Sequence, residues 1–467
     1  MKNAFHILVL LMVANSYTQV NSFTEEVKTK YTVVQLDSEF FHDQKRTIKV
    51  ALPEQYDSSK EYPVIYTLDG NSLFYITTSY VTQLSKLTVD DDGFDYGSDA
   101  IPQSIVVGIF HNDRGYETQP NFSLKENIDE SIFLEGPEKL KNFLFHEVVP
   151  YIDSAYNTSG YNAIIGHSNT AHFVMCLPFQ NGNPFKGIIS ISLAGGTKRF
   201  KDQIKSYLEK NETAPIFLGY GTKDLGFNEL AKSLKGEVTN KNLEIHAYNG
   251  NHNEMPVLAL TDGIKHLFYK YRNVDDFIEA SLKKDFNIAD YLDQYQQKNR
   301  EAYGINTEMK EDDFYTLLDL SIKNKNRRVM NQILEYDSKA NGFEQQTHMM
   351  FIYNKQISDY EKAEGYATQM LNSNDEFENR ILKANLNHYY EFFIDDLADV
   401  EKGLHFFEEG KKRFKDKQLE FSYFIAKISI EQDYQKLKGY SDLKYCMKNY
   451  KENNYFNEVD LEGLKNL

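Results

Sequence analysis

Residues 161–173 read YNAIIGHSNTAHF. Ala163, Ile164 and Ile165 form a short apolar run of the kind that makes a buried strand. Gly166 leaves room for a sharp turn, and Ser168 sits at its tip. Asn169 and Thr170 open a segment that continues as a helix through Phe173, Val174 and Leu177. A strand that stops at Gly-His-Ser and passes at once into a helix sets the serine hydroxyl on the carboxyl edge of a sheet. The backbone N–H of Asn169 then faces any oxyanion formed there. In such an elbow a second glycine normally lets the helix pack closely on the strand. Thr170 takes that place, and a β-branched side chain needs extra space. The competing reading is a buried strand that happens to carry a serine.

The surroundings decide between the two. Short apolar runs recur on both sides: YTVVQL (31–36), TIKVAL (47–52), PVIYTLD (63–69), SIVVGIF (104–110), GIISISL (187–193), PIFLGYG (215–221) and LEIHAY (243–248). Several are nearly continuous in Val, Ile, Leu and Phe, as expected of strands buried on both faces. Helical patterns lie between them at Pro137–Tyr156, Ala171–Gln180, Asn228–Lys235 and Pro256–Tyr271. This alternation predicts an α/β domain with a doubly wound, mostly parallel sheet. Beyond residue 273 isolated strands vanish, and the last proline is Pro256. The remainder is charged, aromatic and helically periodic. It predicts an all-α domain of helical hairpins, similar to tetratricopeptide repeats or a plain bundle.

A serine nucleophile needs a base, and the base needs an orienting acid. Downstream of Ser168 the strand PIFLGYG is followed by Asp224, and LEIHAY by a Gly/Asn-rich loop holding His252. Both would lie on the same sheet edge as the serine, in the order serine, acid, histidine. Glu229 and Glu254 are alternative acids, and Asp224 could instead cap a helix. The loop after the third strand, Leu68-Asp69-Gly70-Asn71-Ser72, is the expected source of a second oxyanion donor. Gly70 would permit an unusual backbone angle there and the N–H of Asn71 would face the serine. His167, beside the serine, is a candidate for substrate contact, and Asp69 and Gly70 share the loop that would border it.

The 467 residues carry a formal net charge of −17, which repels phosphate backbones and argues against nucleic acid as a partner. Two cysteines, Cys176 and Cys446, form no disulfide framework and no zinc site. There is no HExxH and no glycine-rich phosphate loop, so neither a metal nor a cofactor is expected. The opening MKNAFHILVLLMVANSYTQVNSF reads as a secretory leader over 1–22: a lysine, a short apolar run, then small polar residues. The run is too short for a stable membrane anchor. The expected domains are thus 1–22, 23–272 and 273–467.

Residues 30–272 resemble the putative esterase family of α/β hydrolases, which includes esterase D-like enzymes, enterochelin-type siderophore esterases and feruloyl and acetyl esterase modules. The resemblance is carried by VIYTLDGNSLF (64–74), IVVGIFHNDRGYETQP (105–120), GPEKLKNFLFHEVVPYIDSAYNT (136–158), IIGHSNTAHF (164–173), FKGIISISLAGG (185–196) and NHNEMPVLALTDGIKHLF (251–268). It implies an α/β-hydrolase fold and a serine ester hydrolase acting on a small-molecule ester; a secreted or periplasmic location is expected from the leader alone. Ser168 would be the nucleophile, His252 the base, Asp224 the acid, and the Asn71 and Asn169 amides the oxyanion donors. Asn112, Asp113 and Arg114 match a family stretch that builds the wall of the site. Thr170, and His252-Asn-Glu-Met-Pro in place of His-x-Ser-x-Pro, depart from the pattern. The rival reading is an inactive binding or scaffold protein on a hydrolase fold. The helical domain would contact a protein partner or cover the mouth of the site.

Overall fold

A computed structural model describes residues 31–42, 44–86, 99–121, 129–210, 214–238, 240–341 and 346–467; the leader-like residues 1–22 lie outside them. Eight strands form one sheet: β1 (Tyr31–Asp37), β2 (Lys45–Ala51), β3 (Tyr62–Thr67), β4 (Ile105–Ile109), β5 (Thr158–His167), β6 (Phe185–Ile191), β7 (Ile216–Gly221) and β8 (Leu243–Tyr248). Their order is β1-β2-β4-β3-β5-β6-β7-β8. The β1–β2 and β2–β4 pairs are antiparallel, and every pair from β4 to β8 is parallel. The doubly wound, mostly parallel sheet expected from the apolar runs is therefore present, and it is an α/β-hydrolase fold.

Alternate residues of a strand point to opposite faces, and here both faces are covered. Val64, Tyr66, Val107 and Ile164 enter one apolar cluster, with Leu140, Phe143 and Val174. Ile65, Val106, Ala163 and Ile165 enter another, with Leu73, Phe74, Leu260 and Ile264. Burial on both sides is why these strands read as unbroken apolar runs. Three helices border the carboxyl edge of the sheet: α1 (Gly70–Leu84), α2 (Asn169–Cys176) and α3 (Met255–Leu267). Each starts just beyond the carboxyl end of a strand or of the loop that follows it. α1 has no counterpart in the sequence reading: its Thr77, Thr78 and Val81 are β-branched and its Phe74 and Tyr75 aromatic, which masks the helical signal. The helix Lys198–Lys210 has none either, although Phe200, Ile204 and Leu208 mark its buried stripe at intervals of one turn.

The chain divides into two compact units, Met1–Asn273 with Gln296–Thr307, and Val274–Tyr295 with Glu308–Leu467. The segment 296–307 thus returns to the first unit, a return that a single boundary between 272 and 273 does not contain. Within that unit Tyr303 packs on Tyr161 and Phe268, with ring centroids 5.1 and 5.2 Å away. The second unit is helical throughout its described elements. Three-residue turns join Glu311–Lys323 to Arg327–Asn341 and Thr347–Gln356 to Tyr360–Asn372. Its larger core is aromatic: Tyr389 stacks between Phe351 and Phe406, at 4.6 and 5.0 Å. No helix among the described residues is long and apolar enough to cross a membrane.

Candidate active site

Five loops leave the carboxyl ends of β3, β4, β5, β7 and β8 and meet on one edge of the sheet, the crevice where open α/β sheets hold ligands. Between β5 and α2 stands Ser168, with φ 64° and ψ −121°. A residue with a side chain populates that region only when its surroundings enforce it. Two things do. The Ser168 N–H donates to the Ile191 carbonyl at 3.0 Å, pinning the turn to β6. Gly166 lets the helix backbone lie against the strand: a Cβ there would meet the Thr170 carbonyl oxygen at 2.2 Å. The close approach is thus made at Gly166, and Thr170 needs no extra room. Its side chain is fully buried, and its hydroxyl lies 2.8 Å from Asp69 Oδ2.

The β3 loop differs in detail from expectation. The left-handed residue is Asp69, with φ 54° and ψ 47°, whereas Gly70 is the first residue of α1. Gly70 serves packing, because a Cβ at that position would meet the Phe110 ring at 2.6 Å and the Ile109 carbonyl at 2.9 Å. Asn71 and Asn169 both occupy first turns of helices, α1 and α2, where N–H groups have no intrahelical acceptor. The positive ends of both helix dipoles meet at this edge.

Asp224 and His252 come together. The buried Asp224 carboxylate lies 3.0 and 3.1 Å from His252 Nδ1. Their loops are zipped side by side, since Thr222 N–H donates to the Tyr248 carbonyl and Lys223 N–H to that of Gly250. Gly221 permits this approach; a Cβ there would sit 2.4 Å from the Gly250 carbonyl. Phe227 packs on the His252 ring at 4.2 Å. Of the alternative acids, Glu254 turns back to accept the Asn251 N–H at 2.8 Å. Glu229 begins the helix Glu229–Lys235 on an exposed turn.

Behind the β3 loop runs a chain of charges. The Arg114 guanidinium grips Asp69 at 2.6 and 3.0 Å and donates to the His167 carbonyl at 3.2 Å. His111 Nε2 accepts the Asp69 N–H at 3.4 Å while its Nδ1 lies 2.7 Å from Glu117. Glu117 also takes a two-pronged bond from the buried Arg46 at 2.7 Å, and the N–H groups of Asn112 and Asp113. Burial would raise the Glu117 carboxyl, but the bonds from His111 and Arg46 bring it down to about 2. Asn112, expected in the wall of the site, directs its side-chain amide at Gln44 and the Lys45 carbonyl. It supports the wall from behind.

A cavity of about 330 Å³ opens at this edge. Ser168, His252, His167, Asp69, Asn71 and Arg114 line it. So do Ser72, His111 and Asn253. No motif marks these three as site residues, and the only signal for them is that each adjoins a residue that a motif does mark. Burial and the neighbouring His252 lower His167 to about 4. Among the described residues, no group of three or more His, Cys, Asp or Glu side chains could hold a metal ion.

Residues 41–259 match the model of the family described as putative esterase. This first unit belongs to the putative esterase family. The esterase unit is thereby a hydrolase domain for ester bonds. No curated relative matches the chain. Among solved structures, the chain is similar to an IroE-like serine hydrolase from Shewanella oneidensis, at 21% identity over 66% of this chain and 98% of that one, with a TM-score of 0.46. It is also similar to the siderophore hydrolase EstA from Aspergillus nidulans, at 16% identity over 53% and 97% of the two chains, TM-score 0.42. An uncharacterised protein from Capnocytophaga ochracea shares the fold over 82% of this chain and 94% of its own, at 14% identity and a TM-score of 0.50.

Proposed function

We propose that the esterase unit cleaves small carboxylic esters through an acyl-enzyme on Ser168. The observation that carries this reading is the Asp224–His252 pair, 3.0 Å apart, at the cavity that the strained Ser168 also lines. With Nδ1–H donating to Asp224, the His252 Nε2 lone pair is left to take the Ser168 proton as Oγ attacks the ester carbonyl. The developing oxyanion is received by the backbone N–H groups of Asn71 and Asn169, supported by the ends of α1 and α2. Imidazolium then protonates the departing alkoxide, and the alcohol leaves. Water, activated by the same His252, attacks the acyl carbonyl and frees Ser168. Asp224 holds the ring in place through Nδ1. The leader-like residues 1–22 support a secreted or periplasmic setting for this reaction.

The test is labelling by a fluorophosphonate with peptide mapping, beside turnover of p-nitrophenyl acetate and butyrate. Wild type is expected to label at Ser168 and turn over. Ser168→Ala is expected to lose both, with turnover down by at least ~10⁴-fold. A folded Ser168→Ala that hydrolyses these esters as fast as wild type would falsify the reading.

A further inference from the structure

Thr170 stands where an elbow is expected to have glycine, and the position is not idle. Its hydroxyl has three polar neighbours: the His167 N–H at 2.7 Å, Asp69 Oδ2 at 2.8 Å and the His167 carbonyl at 2.8 Å. One hydroxyl carries one proton. The carboxylate is the stronger acceptor, and the His167 carbonyl already receives the Arg114 guanidinium. The hydroxyl therefore accepts from the elbow backbone and donates to Asp69. This bridge joins the turn after β5 to the turn after β3.

Asp69 is the left-handed residue from which α1 starts, and its carbonyl accepts the N–H groups of Ser72 and Leu73. Between Asp69 and Ser72 lies Asn71, whose N–H is the oxyanion donor from this loop. Arg114 holds Asp69 from the cavity side, half-exposed, while Thr170 holds it from inside, fully buried. We infer that Thr170 is a positioning residue: through Asp69 its hydroxyl fixes the Asn71 N–H relative to Ser168. Glycine at this place would leave the His167 N–H and one Asp69 oxygen without their buried partner. This inference rests on the proposed esterase chemistry and goes beyond it.

The variants are Thr170→Val, which keeps the shape and removes the hydroxyl, Thr170→Gly, and Thr170→Ser, which keeps the hydroxyl. Each is assayed on p-nitrophenyl butyrate, with rates expressed per site titrated by the fluorophosphonate. Losing alignment of one oxyanion donor acts on the transition state, so kcat should fall and KM should not. The valine and glycine variants are expected to lose roughly 10–100-fold in kcat with KM within about threefold of wild type; serine should recover to within about threefold. Should the valine variant not fold, Thr170→Ala and the serine variant carry the same comparison. Wild-type kcat per titrated site in the folded hydroxyl-free variants, or a change confined to KM, overturns the inference alone. A wild type that neither labels nor turns over overturns the esterase reading and this inference with it.

Discussion

His167 and His252 are joined across the site: Nε2 of the first lies 2.9 Å from the backbone carbonyl of the second, and their rings are 4.6 Å apart. Because Nε2 donates there, the residue beside Ser168 holds the loop that carries the proposed base. Burial, reinforced by His252, keeps His167 at about 4, so it is neutral wherever the enzyme would work. His167→Phe keeps a ring and removes the donor. We expect a loss of about 10–100-fold in kcat/KM, since small misplacements of a catalytic group are costly. Steady-state kinetics on p-nitrophenyl butyrate would check this; unchanged rates would mean the loop is held by other contacts.

Much of this arrangement is legible in the sequence because it is local. Strands buried on both faces announce themselves as runs such as AIIG and SIVVGI, and Gly166-His-Ser168 punctuates one of them. The order of Ser168, Asp224 and His252 follows from loops at the carboxyl ends of successive strands. The chain's distant meetings are not legible. Arg46 and Glu117 meet across 71 residues, with no spacing to betray them. Gly70 drew the expectation of an unusual backbone angle, yet Asp69 adopts it, because Thr170, Arg114 and His111 bind that one residue in place. Thr170 reads as a steric obstacle only because its partner, 101 residues away, is invisible in the sequence.

Acid should weaken the fold in two stages. His167 and, in the helical unit, His348 are each held at about 4 by burial, against an ordinary 6.5. Above 6.5 both the folded and the unfolded chain leave them neutral. Between 6.5 and about 4 the unfolded chain takes protons that the folded chain refuses, so stability falls as pH falls; below about 4 this slope ends. Glu117, held at about 2 against 4.5, then contributes stability that is lost between those values. Urea midpoints measured from pH 7.5 to 4.5 should hold level down to about 6.5 and decline below it. His348→Gln should flatten the decline for the helical unit, and an equally steep decline would refute its part in it.

Arg46→Ala should be severe. The guanidinium is fully buried, meets Glu117 at 2.7 Å twice and lies 4.2 Å from the Phe41 ring. Removing it strands a buried carboxylate, which costs about 3–5 kcal/mol. Glu117→Gln should cost less, because the amide oxygen can still accept from Asn112 and Asp113. Urea unfolding of both variants would rank them; the reverse order would show that a buried Arg46 without its counter-charge costs more than a buried Glu117 without Arg46.

Asp224 and Glu254 give the sharpest contrast at the site. Asp224 is buried and both its oxygens lie within 3.1 Å of His252 Nδ1. An amide in its place would offer its own N–H to Nδ1, favouring the tautomer with the proton on Nε2. That nitrogen could then not receive the Ser168 proton. Asp224→Asn should therefore lose about 10³–10⁴-fold in kcat near neutral pH while the protein stays folded. Glu254 carries an equal charge close by in sequence, but its carboxylate serves the Asn251 N–H. Glu254→Gln should stay within about threefold of wild type, since an amide oxygen can keep that bond. Kinetics of the two variants side by side would separate an orienting carboxylate from mere negative charge near His252. Equal losses in both would reassign the acid, and a silent Asp224→Asn would leave the imidazole oriented by Phe227 and its loop alone.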